Sequence, residues 1–483
     1  MRNKCIRMKA VFLVVLIWGG NLHSQTDFER GTVISKVLCQ HFPSHSYALY
    51  LPQEYTPEKS WPILYALDPS ARGYVPVEHF KEAAKKHGFL VVGSNNFRNG
   101  PWEDIFQAVQ IMWDDTQSRF SIDSNSIYVT GFSGGARAAV LFSQAANHPV
   151  TGVIGCGAGL PSQFNPEEIN PSIYYGAVGF ADFNYREMIM LDIRLNQAKV
   201  THHIHYFEGT HAWPPSDVCL SAWEWMEIMR MKQYIVPEDR EKTERIYAKK
   251  RQRAQDLEEQ GKIYWAVLRY QTISSLFRGL KDTSEIKEKI NLLQQRDEYK
   301  QFAQRENERI QRETEIVSIC GSVFNRIEQS PQDCIDFEAL FAKMKLESLQ
   351  EEAQAQNQVE EQSLAVRLLH LIFNRAVQTG NQHLKNNHPL KAVVLFQIAS
   401  KASEGNESVH KRVLFDLAQA YALNSDKQTA VHYLELAVKK GFNDASAVQN
   451  SPYFEGLRES QPYQNVLEQI KKKVSSHEDG DKL

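Results

Sequence analysis

Ser126-Ile127-Tyr128-Val129-Thr130, then Gly131-Phe132-Ser133-Gly134-Gly135, then the helix-prone residues 136–146 form the stretch that decides how this chain is read. The first run is apolar and β-branched, which predicts a strand, and the alanine-rich run after the glycines predicts a helix. Alone, this five-residue glycine and serine pattern describes an ordinary tight turn. Between a strand and a helix they describe a serine held at the tip of a sharp, strained turn. Such a turn needs small neighbours because two backbones pass closely. It also sets the serine over a helix N-terminus, whose free N–H groups favour developing negative charge.

Working outward, strand-like and helix-like segments alternate from about residue 27 to 235. Segments 46–51, 61–67, 89–93, 151–156, 173–178 and 201–207 read as strands. Segments 77–87, 104–120, 188–198 and 220–234 read as helices. This alternation predicts a mostly parallel sheet with helices on both faces. Reactive groups then belong in loops at the carboxyl ends of the strands.

A serine hydroxyl becomes a good nucleophile only when a base removes its proton, and the base is usually a histidine oriented by a carboxylate. With Ser133 on the elbow, the remaining partners are expected downstream in the order acid, then histidine. Asp182 lies just past strand 173–178 in Gly179-Phe180-Ala181-Asp182-Phe183-Asn184, and is the expected acid. Glu208 ranks second, and Asp192, inside a helix, below it. His211, in Glu208-Gly209-Thr210-His211-Ala212-Trp213-Pro214-Pro215, follows the last strand and is the expected base. His203 and His205 share a face of that strand, which suits a structural pair better than a metal site.

An oxyanion hole needs two N–H donors. Gly134 supplies one. The loop Leu67-Asp68-Pro69-Ser70-Ala71-Arg72-Gly73 supplies the other, and because Pro69 has no N–H, the choice falls on Ser70, with Ala71 behind it. Asn96 and Trp102, on the loop after strand 89–93, and Trp213, beside the histidine, are expected to line the substrate cleft. The short connection between Cys156 and Ile173 leaves little chain for a lid, which predicts an open site.

Gly131-Phe132-Ser133-Gly134-Gly135-Ala136-Arg137, the Gly-x-x-Asp loop ending at Asp182, and Gly209-Thr210-His211-Ala212-Trp213-Pro214 together resemble the α/β-hydrolase superfamily of serine esterases. The resemblance covers roughly residues 30–235 and leans toward the feruloyl esterase, esterase D and polyhydroxybutyrate depolymerase groups. It implies an α/β-hydrolase fold, a Ser-His-Asp triad and no cofactor. Those esterases often carry His-Gly where this chain has Asp68-Pro69.

At 483 residues the chain is too long for one ordinary core. Residues 1–24 read as a signal peptide: Arg2, Lys4, Arg7 and Lys9 precede an apolar run at 10–18, followed by small residues. That run is too short to span a bilayer, for which about 20 apolar residues are needed, so stable membrane insertion is not expected and the protein is expected to be secreted or periplasmic. A formal net charge of -3 gives no reason to expect nucleic acid. In an oxidising compartment Cys320 and Cys334 could clip a helical hairpin, and Cys156 and Cys219 both lie in the first half. No cysteine pair has metal-ligand spacing.

The texture changes near Val236-Pro237. A helical region, 240–474, follows, with a polar tail at 475–483. Leu414, Leu417, Ala418, Tyr421, Ala430, Leu434 and Ala437 fall at the spacing of a tetratricopeptide helix pair. Gly380, Ala392, Phe396 and Ala399 make a second block, and Ala254, Leu257, Ala266, Tyr270 and Ile273 a fainter third. Residues 285–315 read as one long, solvated connecting helix. The expected whole is an α/β hydrolase followed by an all-α, tetratricopeptide-like domain. It would hydrolyse an ester-containing small molecule or polymer, and its repeats would hold a protein or peptide partner. A serine peptidase with the same triad, and a non-catalytic scaffold built on the repeats, are the alternatives.

Overall fold

The computed structural model describes residues 28–144, 150–161, 164–169, 173–233, 237–355 and 359–480, with side chains to 472. The expected signal peptide lies outside the described residues. The first half contains β1 (Val33–Leu38), β2 (Ser46–Tyr50), β3 (Trp61–Leu67), α1 (Tyr74–His87), β4 (Leu90–Ser94), α2 (Trp102–Arg119), β5 (Ile122–Phe132), α3 (Gly134–Ser143), β6 (Gly152–Cys156), β7 (Ile173–Gly179), α4 (Tyr185–Gln197), β8 (His202–Phe207) and α5 (Ser216–Lys232).

These strands form one eight-stranded sheet in the order β1-β2-β4-β3-β5-β6-β7-β8. The β1–β2 and β2–β4 pairs are antiparallel, and every pair from β4 to β8 is parallel. The parallel strands β3 to β7 are buried almost throughout, as expected for a sheet covered on both faces. β1 is a finding that residue pattern did not predict. It is an edge strand, largely exposed, and its Ser35 and Lys36 break the apolar run that would have announced it.

One face of the sheet packs on α2, α3 and α4, around Tyr65, Met112, Trp113, Phe142 and Met188. The other packs on α1 and α5, around Phe80, Phe89, Tyr128 and Trp223. The second core does not stop at α5. It runs on through Ile246, Ala254, Ala266, Tyr270, Ile273 and Ile286 of the helical half. α5 is therefore covered on both sides, which explains a helix buried almost all round. Its charged residues are matched from the added layer: Lys249 reaches Glu224 at 2.7 Å and Lys242 reaches Glu227 at 3.0 Å.

The helical half comprises α6 (Arg240–Glu259), α7 (Ile263–Leu276), α8 (Ser284–Gln294), α9 (Asp297–Gln329), α10 (Phe337–Lys343), α11 (Leu346–Gln354), α12 (Val359–Lys385), α13 (Pro389–Ala402), α14 (Glu407–Leu423), α15 (Lys427–Lys439), α16 (Ala445–Asn450) and α17 (Gln461–Gly480). The three blocks with repeat spacing fall on the helix pairs α6/α7, α12/α13 and α14/α15. Small residues mark the crossings, where Ala266, Ala399, Ala418, Ala430 and Ala437 are fully buried. A side chain at Gly380 would meet the Phe396 ring at 2.9 Å.

Three expectations are corrected. The long helix at 285–315 is two helices, broken at Gln295-Arg296, and α9 is not a solvated connector because Arg309 and Glu313 are buried in it. The tail expected from 475 continues α17 to Gly480. Cys39, Cys156, Cys219, Cys320 and Cys334 are all free and buried, so the clip between Cys320 and Cys334 is not formed. Among the described residues no helix is long and apolar enough to cross a membrane.

Candidate active site

The turn between β5 and α3 has the strain that its sequence demands. Ser133 stands at φ 54° and ψ −118°, a region that costs a non-glycine residue about 1–3 kcal/mol. Its N–H donates to the Cys156 carbonyl at 2.8 Å, tying the turn to β6. The flanking glycines are steric requirements. A Cβ at Gly131 would lie 2.1 Å from the Gly135 carbonyl oxygen, and one at Gly135 would lie 2.1 Å from that of Leu67.

Three loops at the carboxyl ends of β5, β7 and β8 bring Ser133, Asp182 and His211 together. His211 Nε2 lies 3.0 Å from Ser133 Oγ, and His211 Nδ1 lies 2.9 Å from each oxygen of Asp182. Asp182 is fully buried and also accepts the Asn184 N–H at 2.8 Å. Asn184 in turn donates from its side chain to the Gly157 carbonyl at 2.7 Å, which fixes the acid loop on β6. The imidazole is held between two rings, Phe132 at 4.6 Å and Phe183 at 4.1 Å between centroids. With Nδ1–H on the carboxylate, Nε2 is left as the acceptor facing the serine hydroxyl.

The lower-ranked acids are employed elsewhere. Asp192 meets His202 at 2.9 Å, and Glu208 lines a separate cavity toward α7 and α9. His203 and His205 do face one side, where His205 Nδ1 lies 2.6 Å from the Tyr175 hydroxyl. Burial drives both imidazoles down, His203 to about 3, and both side chains are half-buried beside Tyr175.

The Asp68 loop departs from expectation. Asp68 is fully buried, and its carboxylate accepts from Ser70 N–H at 3.0 Å, from Arg72 at 3.0 Å through both Nε and Nη2, and from Trp213 Nε1 at 2.8 Å. Burial alone would raise this carboxyl. The Arg72 guanidinium, the indole and the Ser70 amide together hold it below the usual range. The Ser70 amide, expected in the oxyanion hole, is thus occupied by Asp68, and the Ala71 amide is on the Asp68 carbonyl at 3.0 Å. Trp213 is likewise not a cleft wall: it is 6 % exposed and braces Asp68. Asn96 is pinned to the start of β2, accepting from Ser46 N–H at 2.9 Å. Trp102 is exposed at the start of α2, with its ring 6.2 Å from Phe106.

Gly134 stands where the elbow places it, at the first turn of α3. The Asn99 side-chain amide lies against it, close enough that a Cβ on residue 134 would meet Asn99 Oδ1 at 2.0 Å. Asn99 was not singled out in the sequence, because one amide on a loop carries no signal.

The helical half reaches the edge of the site, while Ser133 stays half-buried and outside the cavity that half forms. α11, α12 and the turn between α13 and α14 face His211 and Phe183 across a cavity of about 430 Å³. His370 of α12 lines it beside His211. Burial lowers the basicity of His370, and the neighbouring His211 lowers it further against a smaller opposing pull from Asp182. Three residues before it, Arg367 is buried in a two-pronged ion pair with Glu313 of α9, at 3.0 and 2.7 Å. Its remaining nitrogen donates to the Phe180 carbonyl at 3.0 Å, two residues from Asp182, and the guanidinium lies over the Tyr185 ring.

No protein-family model and no curated protein matches the chain. Solved structures that resemble it include a ferulic acid esterase, at 14 % identity over 40 % of this chain and 97 % of that one, with a TM-score of 0.34. They also include the S-formylglutathione hydrolase FrmB from Staphylococcus aureus, at 14 % identity over 41 % and 98 %, TM-score 0.33. A third is esterase B from Lactobacillus rhamnosis, at 13 % identity over 42 % and 90 %, TM-score 0.34. By its sheet order and its elbow between β5 and α3, the N-terminal part of the chain is an α/β-hydrolase fold, and a helical region follows it.

Proposed function

We propose that the protein is a serine hydrolase acting on carboxylic esters through Ser133, His211 and Asp182. The observation that carries this reading is the continuous hydrogen-bonded line from Ser133 Oγ through the His211 ring to Asp182, with every link at or below 3.0 Å. His211 Nε2 takes the Ser133 proton as Oγ bonds to the ester carbonyl carbon. The carbonyl oxygen becomes an oxyanion beside the first turn of α3, where the Gly134 amide donates to it. The imidazolium, stabilised by buried Asp182, then gives its proton to the leaving alcohol as the C–O bond breaks. Water repeats the sequence on the acyl-enzyme and frees the acid.

Because the Ser70 amide is held by Asp68, the Asn99 side-chain amide, which lies against Gly134, is taken as the second oxyanion donor. No cofactor enters these steps. The N-terminal segment supports export to the periplasm or the outside, and the helix pairs of the second half support a tetratricopeptide-like binding role for a peptide or protein partner.

A fluorophosphonate probe tests the reading. Labelling at Ser133 that disappears in Ser133→Ala, with loss of aryl-acetate turnover by about a millionfold, is expected. A probe that leaves Ser133 unlabelled in the folded full-length chain would refute it.

A further inference from the structure

The cavity above His211 is lopsided. His211 and Phe183 are its contributions from the hydrolase half, and the rest comes from α11, α12, α13 and α14. Ser133 and Gly134 do not line it. In a hydrolysis of this kind the serine side of the imidazole faces the carbonyl, and the same Nε2 later delivers its proton to the departing oxygen. A space that opens from this imidazole is within reach of the group that takes its proton, the departing alcohol.

Its walls specify a chemistry. Val366, Leu369 and Phe373 present one face of α12 across successive turns. With Phe183 they make an apolar surface. The periphery carries the uncharged amides of Gln354, Asn374 and Asn406. Glu404 is the one carboxylate among the described lining residues, and Lys401 already holds it at 2.9 Å. No lysine or arginine lines the cavity among the described residues. A carboxylate, sulfonate or phosphate on the substrate would find no permanent cation among the described lining residues, and leaving water without one is costly. A volume of about 430 Å³ is ample for an alcohol of several rings or a branched chain.

We infer that the helical half builds a leaving-group subsite over His211 that selects uncharged alcohols with an apolar body and a hydrogen-bonding edge. The inference rests on the serine-hydrolase reading above and deepens it. The first step is balanced within the chain: Oγ–C forms, C–O to the alcohol breaks, and the proton passes from Ser133 through His211 to the released alcohol.

The test uses three acetate esters and the full-length chain: ethyl acetate, 2-naphthyl acetate and a sulfonated 2-naphthyl acetate. All three form the same acetyl-enzyme, so differences in kcat/KM report acylation and the fate of the alcohol alone. The wild-type protein is expected to prefer the neutral naphthyl ester to the sulfonated one by about tenfold, or 1.4 kcal/mol. Val366→Trp fills the cavity and is expected to reduce the naphthyl-to-ethyl preference by about tenfold. Asn374→Lys places a cation at its edge and is expected to narrow or reverse the penalty on the sulfonate, a gain that misfolding cannot mimic.

Fluorophosphonate labelling of each variant keeps the two readings apart. Labelling of Ser133 with both preferences unchanged in both variants would overturn the subsite and leave the hydrolase standing. Absence of labelling in the wild-type chain removes both.

Discussion

The two halves of this molecule handle difficult groups in opposite ways. The α/β half concentrates strain and close approach in a few residues around one turn: Ser133 at positive φ, Gly131 and Gly135 pressed against carbonyl oxygens, and Asp68 and Asp182 fully buried but saturated with donors. In the helical half, non-glycine residues at positive φ stand singly between helices among the described residues, at Lys345, Asn387 and Ser425. Its helices are regular, and its buried charges are spread along them, as in Arg367 with Glu313, and Asp416, which meets the exposed Arg412. Strain and saturated carboxylates report chemistry at a site, whereas distributed charge reports how layers are registered against each other. The second half therefore shows its contribution only where it touches the first.

The sharpest way to break this contrast is at the acid. Asp182→Asn keeps the shape of the loop but removes the charge that fixes the His211 tautomer. A fall in kcat of about 10⁴-fold is expected, with the melting temperature little changed, measured on an aryl acetate. A loss of only a fewfold would mean that the strained half does not hold the chemistry.

The next effect comes from the contact between halves. Arg367→Met strands Glu313 as a buried charge and is expected to destabilise the protein by about 3–5 kcal/mol in urea melts. Adding Glu313→Leu removes that stranded charge, so most of the stability returns. The bond to the Phe180 carbonyl stays broken in the double variant. A residual drop in kcat/KM of about tenfold that survives the stability rescue would show that α12 positions the acid loop. Full recovery of activity would make the contact purely structural.

The smallest expected effect tests the helical half by itself. Burial raises the Asp416 carboxyl from 3.8 to about 6, against a weaker downward pull from Arg412. The folded state thus holds this proton more tightly than the unfolded chain. The stability linked to it is present below about pH 4 and is lost as the pH rises through about 6. Asp416→Asn is expected to stabilise the protein by about 1–3 kcal/mol at pH 7 and by nearly nothing at pH 4, in thermal melts at the two pH values.

The same contrast explains what was legible in the sequence. Ser133, Asp182 and His211 could be read because each sits in a short segment whose neighbours are constrained in type, such as the glycines of the elbow. The parallel strands could be read because burial on both faces leaves unbroken apolar runs. β1 could not, since an edge strand keeps polar residues. Trp213 looked like a cleft residue because position next to His211 says nothing about which way a ring turns. The Ser70 amide was assigned by eliminating Pro69, and that elimination could not see Asp68 folding back onto the same N–H. His370, Arg367 and Phe373 occupy ordinary positions of an amphipathic helix, so only the packing of α12 over the triad gives them meaning.

The guanidinium of Arg367 grips the acid loop from a helix 27 residues long. A helix of that length is a rod of about 40 Å, so the one element that holds the acid loop also carries Leu384 into the core between α13 and α14.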